Sequence, residues 1–182
     1  MKNTILSMIA ILGLAAAPAA QGQGYNPFQI GASGGIAFPT GDLGTSTNTG
    51  YNIAVLVGYK PQLLPVSVRA EAAYNQFGFN GGGGSINIPS FTGNLVYELP
   101  LGVGFTPYAI GGAGLYRPSA GFAGGGATSA ENDFGWNIGG GIKIPLSTSF
   151  ETFIEARYNS VSVGGANGGT ASFIPVTVGI LF

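Results

Sequence analysis

The sequence predicts an all-β fold, an eight-stranded antiparallel up-and-down barrel that spans a membrane. Three observations lead there. Hydrophobic residues make up 45% of the 182 residues and charged residues only 7%, against about 25% charged in ordinary soluble domains. The 34 Gly, 11 Pro, 12 Phe and 8 Tyr disfavour helices and favour strands with tight turns. Hydrophobicity then alternates with a period of two over stretches of about 9–12 residues. Globular strands usually run about 5–6 residues, whereas a tilted strand crossing a bilayer takes about 9–11. Finally, the connections between these stretches are alternately long and short.

Composition also removes function classes. Disorder needs low hydrophobicity, which this chain lacks. With no Cys there are no disulfides, thiolate metal sites or lipid anchor. With no His the commonest general base and metal ligand is gone. Beyond Lys2 the chain carries five Lys+Arg and seven Asp+Glu, a net of −2. No basic footprint for nucleic acid remains.

Residues 1–20 read as a secretory signal peptide: Lys2, an apolar run from Ile5 to Leu14, and small residues in which Ala17-Pro18-Ala19 fits an A-x-A cleavage site. The run is shorter than the ~20 residues of a helical span. Residues 21–182 are the expected barrel domain.

In the first strand, Phe28, Ile30, Ala32, Ile36 and Phe38 oppose Gln29, Gly31, Ser33, Gly35 and Ala37. Successive strand side chains point to opposite faces, so the first set shares one face. In 51–60, Tyr51, Ile53, Val55, Val57 and Tyr59 oppose Asn52, Ala54, Leu56, Gly58 and Lys60. In 66–75, Val66, Val68, Ala70, Ala72 and Tyr74 oppose Ser67, Arg69, Glu71, Ala73 and Asn75. In 91–99, Phe91, Leu95, Tyr97 and Leu99 oppose Thr92, Asn94 and Glu98. In 107–117, Tyr108, Ile110 and Tyr116 are assigned to the apolar face, against Ala109, Gly111, Ala113 and Arg117. In 134–144, Trp136, Ile138, Ile142 and Ile144 oppose Asn137, Gly139, Gly141 and Lys143. In 150–159, Phe150, Thr152, Ile154, Ala156 and Tyr158 oppose Glu151, Phe153, Glu155, Arg157 and Asn159. In the last strand Ile174, Val176, Val178, Ile180 and Phe182 oppose Pro175, Thr177, Gly179 and Leu181.

Short proline-bearing gaps follow the second, fourth and sixth strands, at 61–65, 100–106 and 145–149. Proline lacks the N–H that a ladder uses. The other gaps, 39–50, 77–90, 118–132 and 164–170, are longer and rich in Gly, Ser, Thr and Asn. Long loops outside and short turns inside are the arrangement of outer-membrane barrels, with both ends of the barrel chain on the periplasmic side. An open sheet edge in hydrocarbon leaves unpaired backbone groups at several kcal/mol each, so the sheet closes.

The polar face then looks into a narrow lumen that side chains fill. Its charges are Lys60, Arg69, Glu71, Glu98, Lys143, Glu151, Glu155 and Arg157. Arg69, Glu71, Glu155 and Arg157 come from opposite walls, and buried charges must be paired. They are expected to form an ion-paired plug rather than a gate. The small inward positions Gly31, Gly35, Ala54, Gly58, Gly111, Gly139 and Gly141 either offset the bulk of these groups or leave a water-filled cavity. Tyr51, Tyr59, Tyr74, Tyr97, Tyr108, Tyr116, Trp136, Tyr158 and Phe182 are expected as interfacial girdles. The runs at Gly111–Gly114 and Gly139–Gly141 lie inside strand patterns, with Gly112 and Gly140 on the apolar face, and do not open a helix as phosphate loops do. Gly81–Gly84 reads as a flexible loop tip. Glu131-Asn132-Asp133 offers too few oxygens for Ca²⁺. No catalytic, cofactor or metal residues are expected.

The order Pro39-Thr40-Gly41-Asp42, Thr106-Pro107-Tyr108-Ala109-Ile110-Gly111-Gly112-Ala113-Gly114, Glu155-Ala156-Arg157-Tyr158 and terminal Phe182 resembles the eight-stranded outer-membrane β-barrel family of the opacity-protein and OmpA-transmembrane-domain type. The resemblance covers essentially all of residues 21–182. It implies the outer membrane of a Gram-negative-type bacterium, outer-membrane lipid and the barrel assembly machinery as partners, and Val178, Ile180 and Phe182 as the assembly signal; Pro175 departs from that pattern. No C-terminal peptidoglycan-binding domain is expected, since the last strand pattern runs to Phe182. The expected function is a non-enzymatic membrane anchor, structural or engaging a surface ligand through its loops. Two alternatives are a low-conductance pore for ions or small solutes and a soluble lipocalin-like carrier of a lipophilic ligand. A carrier would place apolar residues inside and charges outside.

Overall fold

The computed structural model describes residues 27–102, 104–126, 131–147, 150–164 and 168–182; the leader expected over residues 1–20 and its expected cleavage site lie outside these. The strands are β1 (Phe28–Thr40), β2 (Gly50–Tyr59), β3 (Val66–Gly78), β4 (Gly84–Glu98), β5 (Thr106–Tyr116), the short β6 (Ser119–Phe122), β7 (Asp133–Pro145), β8 (Glu151–Val163) and β9 (Gly169–Leu181), with one helix, α1 (Gly41–Ser46). Eight strands pair antiparallel with their neighbours and β1 closes on β9. At that seam Ile30 N–H donates to Phe182 O at 3.0 Å and Phe182 N–H to Ile30 O at 2.8 Å. β6 hangs on the far end of β4, pairing Ser119–Phe122 with Gly84–Asn87.

The wall is turned apolar side out. Val68 is 51% exposed and Ile154 43%, while Arg69 and Glu155 beside them are 3% and 2% exposed. The same alternation runs through β1, β2, β4, β7 and β9. A soluble carrier has the opposite orientation. Pro175 faces inward and pairs with Ala37 of β1. On its other side the β8 ladder lapses between Ala156↔Val176 and Asn159↔Phe173, because proline supplies no donor.

Three sequence expectations need correction. The first concerns β5. Its register places Glu98 opposite Tyr108, Val96 opposite Ile110 and Asn94 opposite Gly112. Tyr108, Ile110 and Tyr116 are therefore buried inside the barrel, Gly112 faces in, and Gly111 faces out. Tyr108 and Tyr116 are not girdle residues. The middle of this strand, Gly111-Gly112-Ala113-Gly114, carries no polarity contrast to fix the face. The rings enter because the neighbouring strand is glycine where they project. A Cβ on Gly141 would stand 2.6 Å from the Tyr108 hydroxyl, and one on Gly135 2.7 Å from the Tyr116 ring. Inward glycines thus make room for bulk.

The second correction is that the loop-side segments are largely strand. β3 and β4 run through most of 77–90, β9 starts at Gly169, and β6 occupies part of 118–132. Between β3 and β4 the turn is tight: Gly82 N–H donates to Phe79 O at 3.0 Å, and Gly82 and Gly83 take φ of 72° and 79°, the left-handed region that glycine tolerates. It is a hairpin turn, not a flexible linker. The third is α1, in a segment expected to be loop. It drops Leu43 into the barrel mouth, where Thr47 N–H and hydroxyl both bond Leu43 O.

Candidate functional site

The lumen is built in layers. In its middle, Arg69 of β3 reaches Glu155 of β8 at 2.7 Å, and Arg157 of β8 reaches Glu71 of β3. β3 and β8 stand on opposite walls, so both pairs bridge the lumen. Arg157 Nε also pairs with Glu155 Oε1 at 2.8 Å, and the Tyr108 hydroxyl donates to Glu155 Oε2 at 2.7 Å. The Arg69 guanidinium lies 5.4 Å from the Phe153 ring centre and 5.7 Å from that of Tyr108. All four charged groups are almost fully buried. Amides continue the layer: Asn137 donates to Asn94 at 2.9 Å and Asn52 to Asn75 at 2.7 Å. The cavity left here, lined by Glu71, Arg157 and Asn75 among others, is about 10 Å³, the lower limit for one water.

A second ion cluster sits at the short-turn end. Glu98 of β4 takes Lys60 at 2.5 Å on one oxygen and Lys143 of β7 on the other. Glu151 joins neither cluster; its Oε2 is buried without a hydrogen-bond partner among the described residues. Between the layers lies an apolar cluster of Leu56, Val96, Tyr108, Ile110, Phe153 and Leu181.

A third layer closes the long-loop end: Ala37, Leu43, Phe77, Ile88, Tyr116, Val161 and Phe173 pack together, flanked by Ile86 and Ala171. Phe77 and Phe173 meet edge to face at 5.5 Å. Sequence reading missed this layer, although a signal exists. In Ser85-Ile86-Asn87-Ile88 and Ser160-Val161-Ser162-Val163 the period of two persists with its polarity reversed. Inside the bilayer the outer face is apolar and the inner polar; beyond it water bathes the outside, and the assignment inverts.

The girdle marks the change. On the outer wall the Tyr51 hydroxyl donates to Gln76 at 2.5 Å, Tyr74 to Asn87 at 3.0 Å, and Tyr158 to Ser172 at 3.0 Å. Trp136 lies beside Tyr158, with ring centres 5.7 Å apart and the planes tilted by 53°. These rings lie on lipid-facing wall and point their polar tips at the first outward polar residues above it. At the opposite end Phe28 and Tyr59 are in contact at 5.3 Å, and Phe150 and Phe182 at 6.2 Å. Val178, Ile180 and Phe182 all face outward and are exposed.

A membrane-spanning barrel with inverted faces, two aromatic girdles and a closed seam has known counterparts. The outer membrane protein beta-barrel domain family matches residues 7–182. The chain belongs to that family. Among solved structures, Neisserial surface protein A superposes with a TM-score of 0.71 at 16% identity, covering 87% of this chain and 98% of that one. A major outer membrane protein of Thermus thermophilus gives 0.56 at 12%, covering 86% and 99%. The N-terminal barrel domain of Pseudomonas aeruginosa OprF gives 0.52 at 19%, covering 88% and 100%. At these identities the likeness is one of fold. A comparison with curated proteins finds no match. As an outer-membrane β-barrel the chain resides in the outer membrane, and the apolar band of its wall is the surface that lipid covers.

Proposed function

We propose that this outer-membrane barrel is a non-enzymatic, non-conducting anchor that holds its long loops at the cell surface as an interaction surface. The observation that carries the reading is the stack of the lumen: ion pairs that bridge opposite walls, with apolar layers above and below. An ion crossing it would have to part buried, mutually satisfied charges. The absence of His and Cys from the sequence, and the engagement of Glu71, Glu98 and Glu155 in ion pairs, argue against a catalytic lumen. On this reading residues 1–20 are an export leader, 21–182 the barrel domain, and Val178, Ile180 and Phe182 the surface offered to the assembly machinery. Outer-membrane lipid surrounds the wall, and any surface ligand meets the loops.

Planar-bilayer recording tests it. The wild-type barrel is expected to stay silent. A resolved open channel whose current changes in Arg157→Ala or Glu71→Ala would establish the pore reading instead.

A further inference from the structure

Above the girdle the barrel has the orientation of a soluble ligand carrier, with apolar side chains inward and polar ones outward. Among the described residues its mouth is not filled. A cavity of about 460 Å³ opens there, within the roughly 300–1,000 Å³ of small-molecule sites. Ile86 of β4, Val163 of β8 and Ala171 of β9, all partly exposed, supply its apolar surface, with buried Leu43 and Ile88 behind them. Apolar groups facing an aqueous opening favour an apolar occupant, which releases the water over them.

Charge narrows the class of occupant. Among the described residues, Glu131 and Asp133 also line the cavity and no Lys or Arg does. Asp133 is largely buried and held in place, its Oδ1 accepting from Gly164 N–H at 3.1 Å. The eight lumen charges balance, four cations (Lys60, Arg69, Lys143, Arg157) against four carboxylates (Glu71, Glu98, Glu151, Glu155). The net charge of −2 beyond the leader therefore resides at the loop end, in Asp42, Glu131 and Asp133 against Arg117. Arg117 follows inward-facing Tyr116, is itself exposed, and is not among the described residues that line the cavity. Residues 127–130 and 165–167 contain no charged residue. We infer that the mouth binds a small organic cation with an apolar body, a protonated arylalkylamine or alkylamine, its body on Ile86, Val163 and Ala171 and its ammonium towards Glu131 and Asp133.

This deepens the surface-interaction reading and rests on the mouth opening to the exterior, but not on whether the barrel conducts. The test uses the full mature chain in nanodiscs of zwitterionic phospholipid, with Leu, Ile and Val methyls labelled for NMR. Three probes of one shape are titrated: 2-phenylethylammonium, 2-phenylethanol and phenylacetate. Saturable shifts are expected at Leu43, Ile86, Ile88 and Val163, with the ammonium at least about tenfold tighter than the carboxylate. Glu131→Gln is expected to shrink that preference and Glu131→Gln with Asp133→Asn to abolish it, while the alcohol binds as before. Ala171→Trp fills the cavity and removes binding of all three; where it does not fold, Ala120→Trp on β6 serves instead. Phenylacetate binding as tightly as the amine overturns the proposal, as do shifts confined to outer-wall methyls such as Val178. Those failures leave bilayer silence, and so the anchor reading, untouched.

Discussion

Two layers of one lumen, a few residues apart along the same strands, are built with opposite chemistry. At mid-barrel the inward positions of β3 and β8 hold Arg69, Glu71, Glu155 and Arg157, joined across the lumen. At the loop end the inward positions of the same strands hold Phe77 and Val161, packed on Phe173 and Ile88. The backbone does not change; what changes is the medium outside. Where lipid covers the wall, outward positions must be apolar, and the inside holds the polar groups, with Arg69, Glu71, Glu155 and Arg157 paired to one another. Where water covers the wall, outward Gln76, Asn87 and Ser162 are polar, and the inside is an ordinary hydrophobic core.

The two layers should fail differently. In the charged layer, Arg157→Met leaves Glu71 and Glu155 without their shared partner. Removing one member of a buried ion network costs about 3–5 kcal/mol, measured as a shift in urea unfolding of the barrel in lipid. Adding Glu71→Leu to Arg157→Met should recover part of that loss, since a neutral apolar filling strands less charge. A single substitution as harmless as the double would mean that the bridges of this layer are not buried pairs.

The loop-end layer should show no such rescue. Ile88→Ala removes buried methyl groups and is expected to cost about 2–5 kcal/mol, depending on how far the site collapses. Because this core lies above the lipid, the loss should appear as early exchange of amides in the β3–β4 and β8–β9 extensions, with the belt still protected. Concerted loss of both would show one cooperative unit rather than two layers.

Much of this was legible in the sequence because lipid imposes a strong contrast. In β2, β3, β4, β7, β8 and β9 the alternation around Val55, Val68, Leu95, Ile138, Ile154 and Val178 marks both strand and face, and with it the buried positions of Arg69, Glu71, Glu98, Lys143, Glu155 and Arg157. It failed where the contrast vanishes or reverses. In β5 the run Gly111–Gly114 left the face to Tyr108 and Tyr116, whose size suggested lipid; they turn inward because Gly141 and Gly135 stand beside them, a relation between strands that no single strand displays. Beyond the girdle, Ser85-Ile86-Asn87-Ile88 alternates as cleanly as the belt, but its polar outer face reads as loop until the change of solvent is recognised. α1 depends on Leu43 finding a core assembled from distant strands. Pairing partners inside the lumen, such as Tyr108 with Glu155, follow from shear and stagger, which periodicity does not encode.

That change of solvent is itself testable on one face at two heights. Val178 and Ser162 both point outward, Val178 from the apolar belt and Ser162 from the extension above it. Val178→Arg is expected to cost about 2–4 kcal/mol, the range for a cation near the midplane of a barrel wall. Ser162→Arg should stay within about 0.5 kcal/mol, as surface substitutions do. Equal costs would abolish the distinction between the two regions.

The finest probe sits on the boundary. Tyr158 spans it, with its ring against Trp136 on the lipid-facing wall and its hydroxyl 3.0 Å from Ser172. Tyr158→Phe keeps the ring and deletes the polar tip, so the expected loss is that of one hydrogen bond, about 0.5–1.5 kcal/mol. The partner decides what the loss means. Ser172 is buried beside the ring, so Ser172→Ala alone should cost a similar amount, and the double variant little more than either. Additive losses would place the two groups in independent contact with water or headgroups, and the girdle would then lie elsewhere than at the level where the wall changes polarity.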